Sequence, residues 1–338
     1  MNWCHRFSET VVAVLILMVL VLVANTNVSD AYGGVCTIGN VKGAPPSVEA
    51  WGKKFGELLA TQQPGSKLEV LQVANGAEAL TALQAGSVEI AIIPIRTVGA
   101  TMEVLSIPGW AAPGRQEALV QMLRDAAPSA PVVPVWIEWQ RVAVAGQLRA
   151  VRQPSELKGR SLYVKGTGDE LLVRTVGGNV EAWPSEGDLG EVMTRKRVDW
   201  AIGSVEELAA DKSVGQGWQL AIGRDQGPSA RGFIFVIGRG VWERTSANDK
   251  RKLSDLAKAA AVEFKRTQVA ALDGLTARGV VVAQFDDASE TTWLEAWEKA
   301  WRDSGVAEGH VKAIRGLLGR RLPTAILTDR RWESSEGP

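Results

Sequence analysis

The residues of this chain that could do chemistry gather in one stretch, Pro154 to Ile202. A strand-like run, Ser161-Leu162-Tyr163-Val164-Lys165, feeds Gly166-Thr167-Gly168 and then an amphipathic helical run from Asp169 to about Val176. A glycine turn between a strand and a helix can present backbone N–H groups to an anion. It can equally be a plain tight turn, and it lacks the third glycine of a dinucleotide fingerprint. Arg141, Arg149, Arg160 and Lys165 cluster about this stretch, and an arginine fork is the usual partner of a carboxylate. Strand alternation puts Lys165 on the face of Tyr163. Trp183 and Trp200 stand near equivalent strand positions, where tryptophan either packs the core or lines a cleft. On the other side of the molecule the turn at Asn75-Gly76, with Glu78 beyond it, is the counterpart of this site edge.

Covalent chemistry has little to work with. The two histidines are His5, near the N-terminus, and His310, near the C-terminal end. No His/Cys cluster has metal-ligand spacing, and a serine–histidine–aspartate site would rest on His310 alone. The expectation is a protein that is not an enzyme and uses no cofactor. Lysine plus arginine equals aspartate plus glutamate at 38 each, which argues against a nucleic-acid partner, since such proteins carry a basic excess.

The elements that must position these residues follow from periodicity. Strands alternating with helices of about 10–15 residues predict βαβ units and a parallel sheet, with ligands beyond the carboxyl ends of the strands. Strands are expected at 35–41, 67–73, 89–95, 132–139, 141–146, 161–165, 180–183, 217–222, 232–237 and 280–285. Helices are expected at about 47–61, 77–86, 115–126, 169–176, 249–277, 290–302 and 311–317. The interlobe crossing is expected between Val132 and Gly146. Val48, Trp51, Phe55, Leu58 and Leu59 form one face of the first helix. Ser246 and Asp249 cap the long helix, which at 1.5 Å per residue would reach about 40 Å and brace both lobes. Trp293, Trp297 and Trp301, spaced by four, read as a packing face. Leu83–Ile92 echoes Met193–Ile202: each is a helix end, a turn, then valine–acid–x–alanine–isoleucine entering a strand. The fold class is therefore α/β, with two lobes of like construction, mixed sheets and a long bracing helix. The lobes are taken as 32–140 with about 228–265, and 141–227 with about 266–325, followed by a loose tail at 326–338.

The N-terminus reads as an export signal: basic residues in Met1–Arg6, an apolar run Val11–Ala24, and Ser29-Asp30-Ala31 before the cut. An uncleaved membrane anchor is the alternative. Cys4 lies in this leader, so Cys36 would be alone and no internal disulfide could form. An exported chain of this size can fold on its core alone, which fits the periplasm.

Against this background the chain resembles the solute-binding proteins of TRAP transporters, of the C4-dicarboxylate-binding (DctP) type. The resemblance is carried by Leu83–Ala91, Ser106-Ile107-Pro108, Pro154-Ser155-Glu156-Leu157-Lys158-Gly159, Arg197-Val198-Asp199 and the run Val236–Trp242, in that order. It implies a two-lobed periplasmic solute-binding fold (type II-like), capture of a small organic acid, and delivery to the membrane subunits of a TRAP permease. In the family the strand after Leu-Lys-Gly carries a carboxylate-binding arginine; here that position is Tyr163. A second family arginine falls at Ala143, close to Arg141, and Arg149 matches a further basic position. The implied ligand-binding set is Tyr163, Lys165, Arg141, Arg149, Asn75, Glu78, Trp183 and Trp200, with Asp199 structural. A membrane-anchored sensor or scaffold, and an enzyme built on a binding-protein fold, are the other readings.

Overall fold

The computed structural model describes residues 35–62, 67–98, 116–126, 128–147, 149–184, 188–196, 198–223 and 229–303. The expected leader, the loop at 106–110, the helix at 311–317 and the tail lie outside these residues.

The first sheet half is built from βα units. Strand β1 (Val35–Val41) leads into helix α1 (Pro46–Gln62), β2 (Lys67–Val73), α2 (Gly76–Ala85) and β3 (Ile90–Pro94). Helix α2 ends because Gly86 adopts a left-handed conformation, φ 73°, and donates to the carbonyls of Ala82 and Leu83. After α3 (Gln116–Ala126) comes the central strand β4 (Val132–Gly146). The two strands expected here are one strand of 15 residues. The polar pair Gln140-Arg141 does not break it. Pro134, which cannot donate to a ladder, sits where the register shifts by a bulge.

The chain then builds β5 (Ser161–Val164), α4 (Thr167–Thr175), β6 (Asn179–Ala182), α5 (Leu189–Lys196), β7 (Trp200–Ser204), α6 (Val205–Ala210) and β8 (Gln219–Ile222). Strand β9 (Ala230–Gly238) returns to the first half, followed by α7 (Arg239–Arg244), α8 (Ala247–Ala277), β10 (Val281–Gln284) and α9 (Asp287–Asp303). Helices α6 and α7 were not expected. Both are six residues long, too short for periodicity to register.

Among the described residues the strand order is β2-β1-β3-β9-β4-β7-β5-β6, with β8 joining β4 to β10. Strand β4 belongs to both halves. Val132–Arg141 pair antiparallel with β9, and Val142–Gly146 pair with β7 and β8. Each half buries apolar side chains on both faces. In the first half, Val48, Trp51, Phe55 and Leu59 of α1 meet Leu253, Leu256 and Phe264 of α8. The buried indole of Trp51 donates to Ala257 O at 2.8 Å, which removes the penalty of an unpaired N–H. In the second half, Trp293 and Trp297 lie in the core beside Trp200 and Leu172, the packing role expected of them.

Helix α8 runs 31 residues, about 46 Å at 1.5 Å per residue. It packs against α1 at one end and α6 at the other. About two-thirds of the way along, buried Gln268 accepts from Arg141 N at 2.5 Å and donates to Trp139 O at 3.2 Å. This side chain pins the long helix to β4 at the point where β4 changes sheet. No helix among the described residues is long and apolar enough to cross a membrane.

Candidate functional site

A cavity of about 240 Å³ lies where the carboxyl ends of the parallel strands face one another. The first half contributes Gly43, Ala44 and Pro45 after β1, and Pro94, Ile95 and Arg96 at the end of β3. The crossing strands contribute Gln140, Arg231, Gly232 and Phe233, and the second half contributes Lys165–Asp169 and Glu207. Gly232 is required for the close approach of β9 to Ile95: a Cβ there would stand 2.2 Å from Ile95 Cδ1. A larger hollow between α1 and strands β1 and β2 carries only Glu49 and Lys53 as charged lining residues. Ligand sites combine apolar walls with convergent, perturbed polar groups, which only the first cavity offers.

Its floor is an ion-pair network. Arg231 Nη2 donates to Asp169 Oδ2 at 2.9 Å, and Arg231 Nη1 donates to Glu207 Oε2. Lys165 Nζ lies 2.9 Å from the other Glu207 oxygen. Glu207 is also the third residue of a capping box, since its carboxylate accepts from Ser204 N at 2.9 Å and its own N–H donates to Ser204 Oγ. Burial pushes the Glu207 carboxyl upward, but Arg231, Lys165 and the Ser204 N–H outweigh it and hold its pKa down at about 2. Burial likewise lowers the Arg231 pKa, and the two carboxylates more than restore it. Arg231 Nε is buried and has no hydrogen-bond partner among the described residues.

Next to this network a second buried carboxylate joins the halves. Glu206 accepts from Ser47 N and Ser47 Oγ, both at 2.7 Å, and from Gln140 Nε2 at 2.6 Å. Ser47 is in the first turn of α1, so a side chain of the second half satisfies N-terminal donors of a helix in the first.

Of the residues singled out in the sequence, Lys165 lines the cavity. It does not share its surroundings with Tyr163, because β5 ends at Val164 and alternation stops there. Tyr163 is fully buried in the second-half core, and its hydroxyl has no partner among the described residues. Burial and the Glu181 carboxylate push its pKa up. Trp200 is core, its indole donating to Arg149 O at 3.2 Å. Half-buried Trp183 lies against Gly203, where a Cβ would come within 2.7 Å of its ring. Arg149 pairs on the surface with Glu156 at 2.9 Å. Arg141 contributes its backbone N–H to Gln268. Asn75 and Glu78 cap α2: Asn75 Oδ1 accepts from Glu78 N at 3.0 Å, and the Glu78 carboxylate accepts from Ala74 N. None of these seven is on the cavity wall. Asp199 is structural, accepting from Ser161 N at 3.1 Å.

Arg96, Asp169, Glu207 and Arg231 were missed. Glu207 carried a readable signal, the Ser204-x-x-Glu207 pattern directly after a strand. Arg231 carried none, because only the fold brings it to Asp169, 62 residues away.

No protein-family model matches the sequence, and no curated protein matches it. Solved structures do. A TRAP periplasmic solute-binding protein from Rhodobacter sphaeroides, in an open ligand-free form, is 14% identical, with a TM-score of 0.69 over 84% of this chain and 98% of that one. One from Ochrobactrum anthropi, with its C-terminus in the ligand-binding pocket, is 15% identical, with a TM-score of 0.68 over 84% and 94%. One from Ralstonia eutropha H16, holding (S)-2-acetolactate, is 16% identical, with a TM-score of 0.61 over 85% and 98%. The chain has the two-lobed α/β fold of these proteins.

Proposed function

We propose that this protein is an extracytoplasmic solute-binding protein of the TRAP type. It captures a small organic acid between its lobes and delivers it to the membrane subunits of a secondary transporter. The lobes are 32–140 with about 228–265, and 141–227 with about 266–325, a division supported by the change of partners along β4 at Arg141/Val142. Residues 1–31 direct export to the periplasm. The observation that carries this reading is the cavity at the facing strand ends, with Lys165, Arg231, Asp169 and Glu207 on its floor. It supports binding without covalent chemistry: the charged groups are fixed by one another, and no nucleophile–base pair stands among them. Proteins of the same fold hold malate, succinate and galactonate.

A ligand that binds the folded state alone raises the melting temperature by mass action. The test is a thermal-shift screen of the purified protein against organic acids, amino acids and aromatic acids. The expected result is a rise of several degrees with at least one organic acid, and its loss in Lys165→Ala. Turnover of a compound, with no shift from any acid, would replace this reading with an enzymatic one.

A further inference from the structure

The charges on the cavity wall narrow the class of acid, given the binding function proposed above. Among the described residues five charged side chains line the cavity: Arg96, Lys165, Asp169, Glu207 and Arg231. Four of them cancel. Arg231 holds Asp169 and one oxygen of Glu207, and Lys165 holds the other oxygen. Arg96 is the fifth. It sits on the single turn Ile95–Thr97 at the end of β3, is exposed, and has no ion-pair partner among the described residues. Among the described residues the wall therefore carries one positive charge without an ion-pair partner, on a guanidinium whose fork suits a carboxylate.

The opposite side of the cavity offers donors without spare charge. The N-cap residue of helix α4 is Gly166, which has no side chain to cap it. Arg231 Nε, which has no partner among the described residues, lies close by, 3.7 Å from where a Cβ on Gly166 would stand. The negative charge that a helix N-terminus favours is already supplied from within the helix. Asp169 places Oδ2 3.1 Å from that same point, and Glu170 follows it. A second carboxylate brought here would face Asp169 and Glu207 with no cation left to pair with it. A neutral acceptor, such as a hydroxyl or keto oxygen, would satisfy Arg231 Nε without that repulsion.

We infer that the cleft is specific for monocarboxylates bearing a neutral oxygen substituent. The carboxylate is bound by Arg96, the second oxygen function by Arg231 Nε beside the α4 N-terminus, and dicarboxylates are rejected.

The experiment is isothermal titration of the purified full-length protein with lactate, glycerate and gluconate on one side, and malonate, succinate and malate on the other. The expected outcome is a hydroxy monocarboxylate binding at least about tenfold more tightly than any of the three dicarboxylates, and Arg96→Ala weakening it at least about tenfold. Because Arg96 is exposed, the melting temperature of the ligand-free variant should match that of the parent, so the loss reads as lost contact and not lost fold. Glu207→Gln, which leaves the wall one charge more positive, should narrow the gap between the two classes. A dicarboxylate binding as tightly as the best monocarboxylate overturns the inference and leaves the binding function standing. So does unchanged affinity in Arg96→Ala. No binding of any acid to the folded protein overturns the function itself, and the inference with it.

Discussion

Each lobe carries a strand-to-helix turn after a parallel strand, one at Asn75-Gly76 and one at Gly166-Thr167, and the two are finished in opposite ways. In the first, the helix end is closed by its own residues: Asn75 caps Glu78 N and Glu78 returns to Ala74 N. Gly76 is roofed by Thr97, whose Oγ1 would lie 2.6 Å from a Cβ at that position. In the second, the cap position is a glycine with no side chain, and the first-turn acid Asp169 points to Arg231 on a distant strand. A self-satisfied helix end contributes stability and nothing to a ligand. An open one, held in place from outside by a salt bridge, is free to face the cavity. Similar local sequence grammar thus yields a structural turn and a candidate binding turn.

The difference can be broken from the second turn first. Replacing Arg231 with Met leaves Asp169, 2% exposed, and Glu207 without their shared cation. Removing one partner of a buried pair strands the other charge, so a loss of about 3 kcal/mol in unfolding free energy is expected by urea titration. A loss below about 1 kcal/mol would show that the clamp does not hold the turn.

The pH dependence should follow the same clamp. The Glu207 pKa is lowered from an ordinary 4.5 to about 2. Its contribution to stability is therefore fully present above about pH 4.5 and is lost as pH falls toward about 2, because the unfolded chain takes up the proton first. About 3 kcal/mol should disappear over that window, and Glu207→Gln should remove this part of the slope. Superimposable profiles for the two proteins would deny the effect.

The first turn should answer differently and more weakly. Asn75→Ala removes an N-cap and should cost about 1 kcal/mol of stability. Ligand affinity, measured on the same acid, should not change. A matching fall in affinity would make both turns part of the site.

The sequence carried the scaffold well and the site poorly. Strands β1, β2 and β8, helices α1 and α8, and the core roles of Trp293 and Trp297 follow from period, caps and glycine stops, which are local signals. The cavity floor is not local. Arg231, Asp169 and Glu207 come from three elements, and their partnership depends on β9 of the first half lying beside β4, the strand that both halves share. Lys165 was placed by alternation beside Tyr163, and the end of β5 at Val164 separates them. Tyr163 and Trp200 show the other limit: core and cleft are both open to an aromatic on such a strand, and strand geometry puts both side chains in the core. Trp183, half-buried against Gly203, is off the cavity wall as well.

Strand β4 has a consequence for how the molecule comes apart. Its first ten residues complete one sheet and its last five complete the other, and Gln268 of the long helix fastens the junction. Cutting the chain near Arg141 would leave an N-terminal fragment without β9 and without any of α8, and a C-terminal fragment whose β9 has lost both of its partners, β3 and the first ten residues of β4, with buried backbone donors exposed. The lobes are therefore two in shape and one in cooperativity: neither is an autonomous folding unit, and loss of either sheet withdraws the strand on which the other is built.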